Sequence, residues 1–234
     1  MSAEFPLSSE LSDKLHAYLD EVLRANRQFN LTSVRDPELA WSKHVLDSLQ
    51  GLNFESSEEQ STPLFDGAQK VIDVGTGAGF PGVVLAIARP NLQVTLLEAT
   101  RKKCNFLEAA TAMLTPNAGV LCARAEDAAR DSSLRETFDV AVARAVGSFS
   151  EVCELCLPFV KVGGKVLLWR GQYAQLEIEE SKRALQTLGG QARVLTAYQI
   201  PSHDSEYHLV LVEKKKSTPG LYPRRSGLPK KEPL

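Results

Sequence analysis

The segment Val71-Ile-Asp-Val-Gly-Thr-Gly-Ala-Gly79-Phe-Pro-Gly82 sets an apolar run, an acid and a glycine-rich turn in immediate succession. Glycine lets a backbone turn sharply and lets a ligand lie against it, because no Cβ stands in the way. A turn of this kind between a strand and a helix takes either a dinucleotide or S-adenosylmethionine. Gly77-Ala-Gly79-Phe-Pro-Gly82 satisfies the dinucleotide spacing, so the pattern alone does not separate the two. Register and charge favour the methyl donor. The strand ends at Asp73-Val74, so the turn begins at Gly75, and the position that needs the third dinucleotide glycine is Phe80. Asp73 sets a carboxylate beside the ligand, which opposes an anionic pyrophosphate and suits a cationic sulfonium and ammonium. Gly75, Gly77, Gly79 and Phe80 are therefore candidate cofactor contacts; the bland alternative is a glycine-rich turn that holds nothing.

Other candidates fall where strands end, which is where doubly wound sheets bind ligands. Glu98, with Ala99 and Thr100, closes the next apolar strand 23 residues after Gly75, the place for an acid that accepts from ribose hydroxyls. A plain helix-entry acid is the alternative. Ala125 and Glu126 open a helix, where they flank an adenine or simply serve the helix dipole. Arg144 ends a strand of apolar residues, and its charge calls for a paired acid or an anionic ligand. His44 and Asp47 share a helix face at i, i+3 as a site pair or an ordinary surface pair. No Pro-Cys pair supplies a thiol for attack on pyrimidine C5, and no Asp/Asn-Pro-Pro-Tyr/Phe stretch holds an exocyclic amine. A Walker pattern and a zinc-spaced histidine pair are both absent, so no metal is expected.

These residues need a scaffold, and the apolar pattern supplies one. Strands are expected at 70–74, 93–98, 119–122, 138–143 and 164–169, with helices at 81–89, 101–114, 126–130, 148–159 and 175–188. The strands are short and almost wholly apolar, as parallel strands covered on both faces must be. Two further strands, 192–199 and 206–213, are joined too tightly for a helix and should pair antiparallel. The fold class is therefore α/β, a doubly wound, mostly parallel seven-stranded sheet. Ahead of it, 8–27 and 37–49 read as amphipathic helices, and 53–69 reads as a polar linker. The division is a helical extension and linker over 1–69, a ligand-binding domain over 70–213, and a basic, loop-like tail over 214–234.

The net charge of −2 conceals an uneven distribution. Lys214, Lys215, Lys216, Arg224, Arg225, Lys230 and Lys231 face one acid, Glu232, in the tail. A basic tail on an acidic body points to a polyanion, with a merely solvated tail as the alternative. No apolar run approaches the roughly 18 residues that span a membrane, and the start lacks a signal pattern, so a cytoplasmic protein is expected. Cys104, Cys122, Cys153 and Cys156 suit buried structural thiols in that compartment, and Cys153-Glu-Leu-Cys156 has redox spacing without a second pair.

Several segments together carry a family resemblance: Asn26-Arg-Gln-Phe-Asn-Leu-Thr32, His44-Val-Leu-Asp-Ser-Leu49, the 73–82 turn, Leu97-Glu-Ala-Thr-Arg-Lys-Lys103 with Phe106-Leu107, Arg124-Ala-Glu126, Arg144-Ala-Val-Gly147 and Tyr222-Pro-Arg-Arg-Ser-Gly-Leu-Pro-Lys230. In order and over nearly the whole chain, they resemble the ribosomal RNA small subunit methyltransferase G family, also called glucose-inhibited division protein B. The resemblance implies transfer of a methyl group from S-adenosylmethionine to N7 of a guanine in a 16S rRNA loop near the decoding centre. The partner is then 16S rRNA or an assembling small subunit. It further implies cofactor contacts at Gly75, Phe80, Glu98, Ala99, Thr100, Ala125, Glu126 and Arg144. RNA contacts are expected from Arg124, Arg144, Arg170, Arg224, Arg225, Lys214, Lys215 and Lys216. The family usually has Lys-Gly after the fifth strand, where this chain has Arg170-Gly171, and the 53–69 loop is long for the family. Two other readings stand beside it: a small-molecule methyltransferase of the same fold, and a non-catalytic rRNA-binding assembly factor that keeps the cofactor.

Overall fold

The computed structural model describes residues 7–53, 64–65, 69–201 and 203–234. Most of the expected 53–69 linker lies outside the described residues. Helix α1 (Ser9–Asn26) is capped by Ser8, and buries Leu15, Tyr18, Leu19 and Val22. Apolar residues at these spacings form one stripe, which faces the core while Glu10 and Lys14 stay outside. After it, α2 (Pro37–Ala40), a π-helical stretch (Trp41–Leu46) and α3 (Asp47–Asn53) run on without a break, where the sequence suggests one helix. π-Helical turns widen the backbone ladder and often mark functional positions; this one carries His44.

The alternation then follows the expected order, except that the one helix expected over 175–188 is two, broken at Ser181: β1 (Lys70–Val74), α4 (Gly82–Ala88), β2 (Gln93–Glu98), α5 (Arg101–Leu114), β3 (Ala118–Cys122), α6 (Ala125–Ala128), β4 (Phe138–Arg144), α7 (Phe149–Cys156), β5 (Val160–Gly171), α8 (Ala174–Glu180), α9 (Lys182–Leu188), β6 (Gly190–Gln199) and β7 (Glu206–Lys214). The sheet order is β3-β2-β1-β4-β5-β7-β6, parallel from β3 through β5 and antiparallel for β5–β7 and β7–β6. Strand order reverses between β1 and β4, which opens a crevice above their carboxyl ends.

Two apolar layers cover the sheet. One joins α1, α4 and α5 through Leu15, Tyr18, Val83, Leu85 and Leu107, so the N-terminal helices are part of a sheet-covering layer. The other joins β1, β4 and β5 to α7 and α9 through Ile72, Phe138, Val152, Phe159 and Leu185. No helix among the described residues is long and apolar enough to cross a membrane.

The tail corrects two expectations. It ends in a short helix, α10 (Leu228–Lys231), and it is fastened to the body rather than loose. Arg135 donates to the carbonyls of Thr218 (2.8 Å) and Tyr222 (2.9 Å), and Arg130 donates to that of Pro223 (2.6 Å). Lys214 is fully buried, donating to Glu136 (2.6 Å) and to the Leu157 carbonyl (2.8 Å). An ammonium buried and ion-paired in that way is out of reach of an RNA phosphate, so its expected RNA role is withdrawn. The cysteine expectation also changes. Cys104 and Cys122 form a disulfide with Cα atoms 5.8 Å apart. A separation of 18 residues hid this, because it takes the parallel pairing of Glu98 with Cys122 to bring β3 beneath the start of α5. Cys153 and Cys156 are free and buried, with burial raising both thiols well above their ordinary range.

Candidate active site

The glycine turn is built by its own hydrogen bonds. Gly75 and Thr76 both donate backbone N–H to the Leu97 carbonyl (2.9 and 3.1 Å). Gly79 and Phe80 donate to the Thr76 carbonyl (2.9 and 3.1 Å), and Gly77 donates to Glu98 Oε2 (3.2 Å). Asp73 Oδ2 accepts from Thr76 Oγ1 (2.6 Å) and Gly82 N (2.7 Å), which locks the turn onto α4. Almost every N–H that would cradle a pyrophosphate is therefore already engaged inside the protein. That arrangement disfavours a dinucleotide more firmly than residue spacing does.

Asp73 itself is fully buried and shapes the turn from beneath, and its Oδ1 has no hydrogen-bond partner among the described residues. Burial raises its carboxyl to about 6, partly countered by the bonds from Thr76 and Gly82. Gly75 and Gly77 adopt positive φ (74° and 62°), and a Cβ at Gly75 would press on Val146. Gly79 also has a positive φ (88°) and serves packing as well. A Cβ there would meet the Tyr18 hydroxyl, which donates to the Ala78 carbonyl (2.8 Å) and ties α1 to the turn.

Above the turn lies a cavity of about 340 Å³, the size of a small-ligand site. Gly75, Glu98, Ala99, Arg124, Ala125 and Glu126 line it, and so does Lys230 from α10. Glu98 Oε1 accepts from Thr100 N (2.7 Å), fixing the carboxylate at the cavity wall. Glu126 is 4 % exposed and accepts from Gly227 N (2.8 Å) and Arg124 (3.3 Å), so the tail closes the cavity's far side. Gly77, Gly79, Phe80, Thr100 and Arg144 do not line this cavity, although Gly77 and Thr100 set the Glu98 carboxylate. The residues fit a cofactor with ribose hydroxyls and a cationic end, because carboxylates lie at its walls and no anion nest remains.

A second cavity of about 340 Å³ adjoins the first, with Ala145 in both linings. Ala145 has φ of 56°, a left-handed conformation that costs a non-glycine residue about 1 kcal/mol. Such strain persists where the surrounding structure imposes it, often at a functional wall. The second cavity is lined by Ser33, Lys43, His44, Arg144, Arg170 and Tyr207, among others. Arg144 lines this second cavity and not the first. The acid that its position demanded is Asp47, 5 % exposed and 2.7 Å away. Asp47 also accepts from Tyr198 Oη (2.6 Å), and its carbonyl accepts from Trp169 Nε1 (2.7 Å). Sequence reasoning paired His44 with Asp47 but missed Tyr198 and Trp169, which reach the site only through the sheet order.

Arg144 Nη2 faces His44 Nδ1 at 3.3 Å, and a guanidinium can only donate, so the His44 proton sits on Nε2. Nε2 then donates to Thr32 Oγ1 (2.8 Å). The His44 ring stacks on the buried Phe80 ring at 4.9 Å. Burial and the Arg144 charge push His44 down to about 4. A histidine depressed in the folded state stabilises it above about pH 6.5, and that stability fades as pH falls through 4. The wild type should therefore lose about 2–3 kcal/mol more than His44→Gln between pH 7 and pH 4 in urea titrations. Equal losses would show that His44 is not the titrating group.

The remaining basic candidates divide by environment. Arg170 holds Glu177 through two bonds (2.9 and 2.5 Å) and donates to the Gly147 carbonyl (3.2 Å), a fork that lysine does not possess. Arg224 forks onto Glu154, which has no exposure. Lys215 pairs with Glu213. Lys216, Arg225, Lys230 and Lys231 are exposed, and the Arg124 side chain is half-exposed at the cavity mouth. Among the described residues no group of three or more His, Cys, Asp or Glu side chains could hold a metal.

The sequence matches the family model described as rRNA small subunit methyltransferase G over residues 11–209. It is 40% identical over 230 residues to the Ribosomal RNA small subunit methyltransferase G of Moorella thermoacetica, covering 97% of this chain and 92% of that protein. It is 38% identical over 229 residues to that of Clostridium botulinum (strain Alaska E43 / Type E3), with the same 97% and 92% covered. In structure it resembles a precorrin-6y C5,15-methyltransferase from Geobacter metallireducens, with a TM-score of 0.50 at 15% identity over 71% of this chain and 87% of that one. A likeness at that identity speaks for the fold alone, a Rossmann-like sheet of the methyltransferase kind. The relatives speak for more, and by a match running nearly from end to end the chain belongs to the rRNA small subunit methyltransferase G family.

Proposed function

We propose that the chain transfers a methyl group from S-adenosylmethionine to N7 of a guanine in 16S rRNA, in the small-subunit loop near the decoding centre. The observation that carries this reading is the pair of cavities meeting at Ala145, one walled by Glu98 and the engaged glycine turn, the other by Arg144 and Arg170. In this reading residues 70–213 carry the transfer, Ser33, Lys43, His44 and Asp47 of the 1–69 extension wall the acceptor side, and 214–234 close the donor side. The work is done in the cytoplasm, on free rRNA or on an assembling subunit.

When bound, S-adenosylmethionine supplies an electrophilic methyl group on a cationic sulfur. Guanine N7 offers a lone pair that carries no proton at neutral pH, so no side chain has to act as a base. What the protein contributes is alignment and the exclusion of water. Glu98 accepts from the ribose hydroxyls, Gly75 lets the cofactor lie on the backbone, and Ala145 sets the gap between donor and acceptor. Positive charge develops on the purine, so a nearby carboxylate or carbonyl favours transfer. The deep, narrow major groove of A-form RNA hides N7, so the target base must be unstacked or in a loop. Arg124, Lys216, Arg225, Lys230 and Lys231 are the exposed cations left to meet its phosphates.

The test is incubation with methyl-labelled S-adenosylmethionine and unmethylated small-subunit RNA, as bare RNA and as subunit particles. Label mapped to one guanine, at N7, is expected. Label passing to small molecules without RNA, or RNA binding with no transfer, would overturn the proposal.

A further inference from the structure

The donor cavity contains a carboxylate with no task so far. Glu151 lines it alongside Gly75, Val146 and Gly147, and is 9 % exposed. The ordinary explanation is a capping box, since Ser148-Phe-Ser-Glu151 has the required spacing. Half of that box is formed: Ser148 Oγ accepts from Glu151 N at 3.3 Å. The reciprocal bond, from Ser148 N to the Glu151 carboxylate, is not made. Instead the carboxylate lies directly over Gly147, where any Cβ would collide with it. No side chain among the described residues bonds or ion-pairs with it, and neither Arg124 nor Lys230, which share the cavity, reaches it. The carboxylate opens onto the cavity with no protein partner, so a ligand seated there can complete it.

A ligand that meets this carboxylate has to donate to it, a charged donor does so most strongly, and the cofactor read into this cavity has a cationic amino-acid end. The other acid of the turn, Asp73, is fully buried with Oδ2 committed to Thr76 and Gly82, and it does not line the cavity. Glu98 is already committed to Gly77 and Thr100 and to the ribose position. We propose that Glu151 binds the ammonium group of the cofactor, an assignment that rests on reading this cavity as the S-adenosylmethionine site.

Three ligands separate the possibilities by calorimetry. S-Adenosylmethionine carries both the ammonium and the sulfonium, S-adenosylhomocysteine keeps only the ammonium, and 5′-methylthioadenosine lacks both. Glu151→Gln keeps the side chain's size and its capping capacity while removing the charge. It should weaken the first two ligands by about ten- to a hundredfold and leave the third within about twofold. Loss of S-adenosylmethionine binding alone would assign Glu151 to the sulfonium and overturn the proposal. Equal loss of all three, or no loss, would overturn it too. A loosened fold would not split S-adenosylhomocysteine from 5′-methylthioadenosine, so their ratio remains decisive even if Glu151→Gln melts early; Glu151→Ala should show the same split. If the wild type binds none of the three, the cofactor reading falls and this assignment falls with it.

Discussion

Replacing Arg224 by alanine is expected to destabilise the fold by about 3 kcal/mol while leaving the salt dependence of RNA binding nearly unchanged. Taken from the sequence, Arg224 is a tail cation ready for phosphate, and its loss should weaken RNA binding. The structure reverses that expectation. Glu154 has no exposed surface, and Arg224 meets it with Nε at 2.9 Å and Nη2 at 2.7 Å. Removing the guanidinium leaves a buried carboxylate held by the Arg224 backbone N–H (2.8 Å) and no other described partner. Breaking such a pair from one side is among the more destabilising single changes. Arg225, its exposed neighbour, is the control. Arg225→Ala should leave stability within about 0.5 kcal/mol and flatten the salt slope by about one counterion. Denaturant titration and salt-dependent binding of both variants decide the matter. A stable Arg224→Ala protein with a flattened slope would restore the phosphate role.

Arg144→Ala should lower stability by about 3–5 kcal/mol, and Asp47→Ala should do likewise, because each strands a buried charge. The double variant should recover part of that loss, giving a coupling of about 1–3 kcal/mol. The effect on catalysis is separate. Arg144 also donates to the Lys43 carbonyl (2.8 Å) and sits 5.6 Å from the Phe80 ring, so it fixes the wall on which Ala145 separates the cavities. A misplacement there should cut methyl transfer about a hundredfold even at temperatures where the variant is folded. Unimpaired transfer by folded Arg144→Ala would show that the Asp47–Arg144 pair only supports the fold.

Much of this architecture was legible because local and long-range signals agree. Alternation of apolar runs with capped helices placed all seven strands, and the carboxyl-end rule put Gly75, Glu98, Ala99, Ala125 and Glu126 on one cavity. Two misreadings share one cause: Lys214 and Arg224 were assigned from charge and position, but their partners Glu136 and Glu154 are set by packing that a linear pattern does not encode. Arg135 and Arg130, on which the sequence offered no reading, hold the tail through carbonyls far along the chain. Arg144 shows the opposite lesson: the need for a counter-charge was readable, and only the choice of Asp47 required the sheet order. For Glu151 a signal existed, the Ser148-x-x-Glu151 spacing, but it pointed to a helix cap.

The central claim is that Ala145 divides a donor cavity from an acceptor cavity. A crystal structure with S-adenosylhomocysteine and guanosine tests it most directly. The account predicts the ribose hydroxyls on Glu98, and guanosine beside Arg144 and Arg170 with N7 turned towards Ala145. Either ligand seated elsewhere, or a nicotinamide dinucleotide displacing S-adenosylhomocysteine from above Gly75, would contradict it.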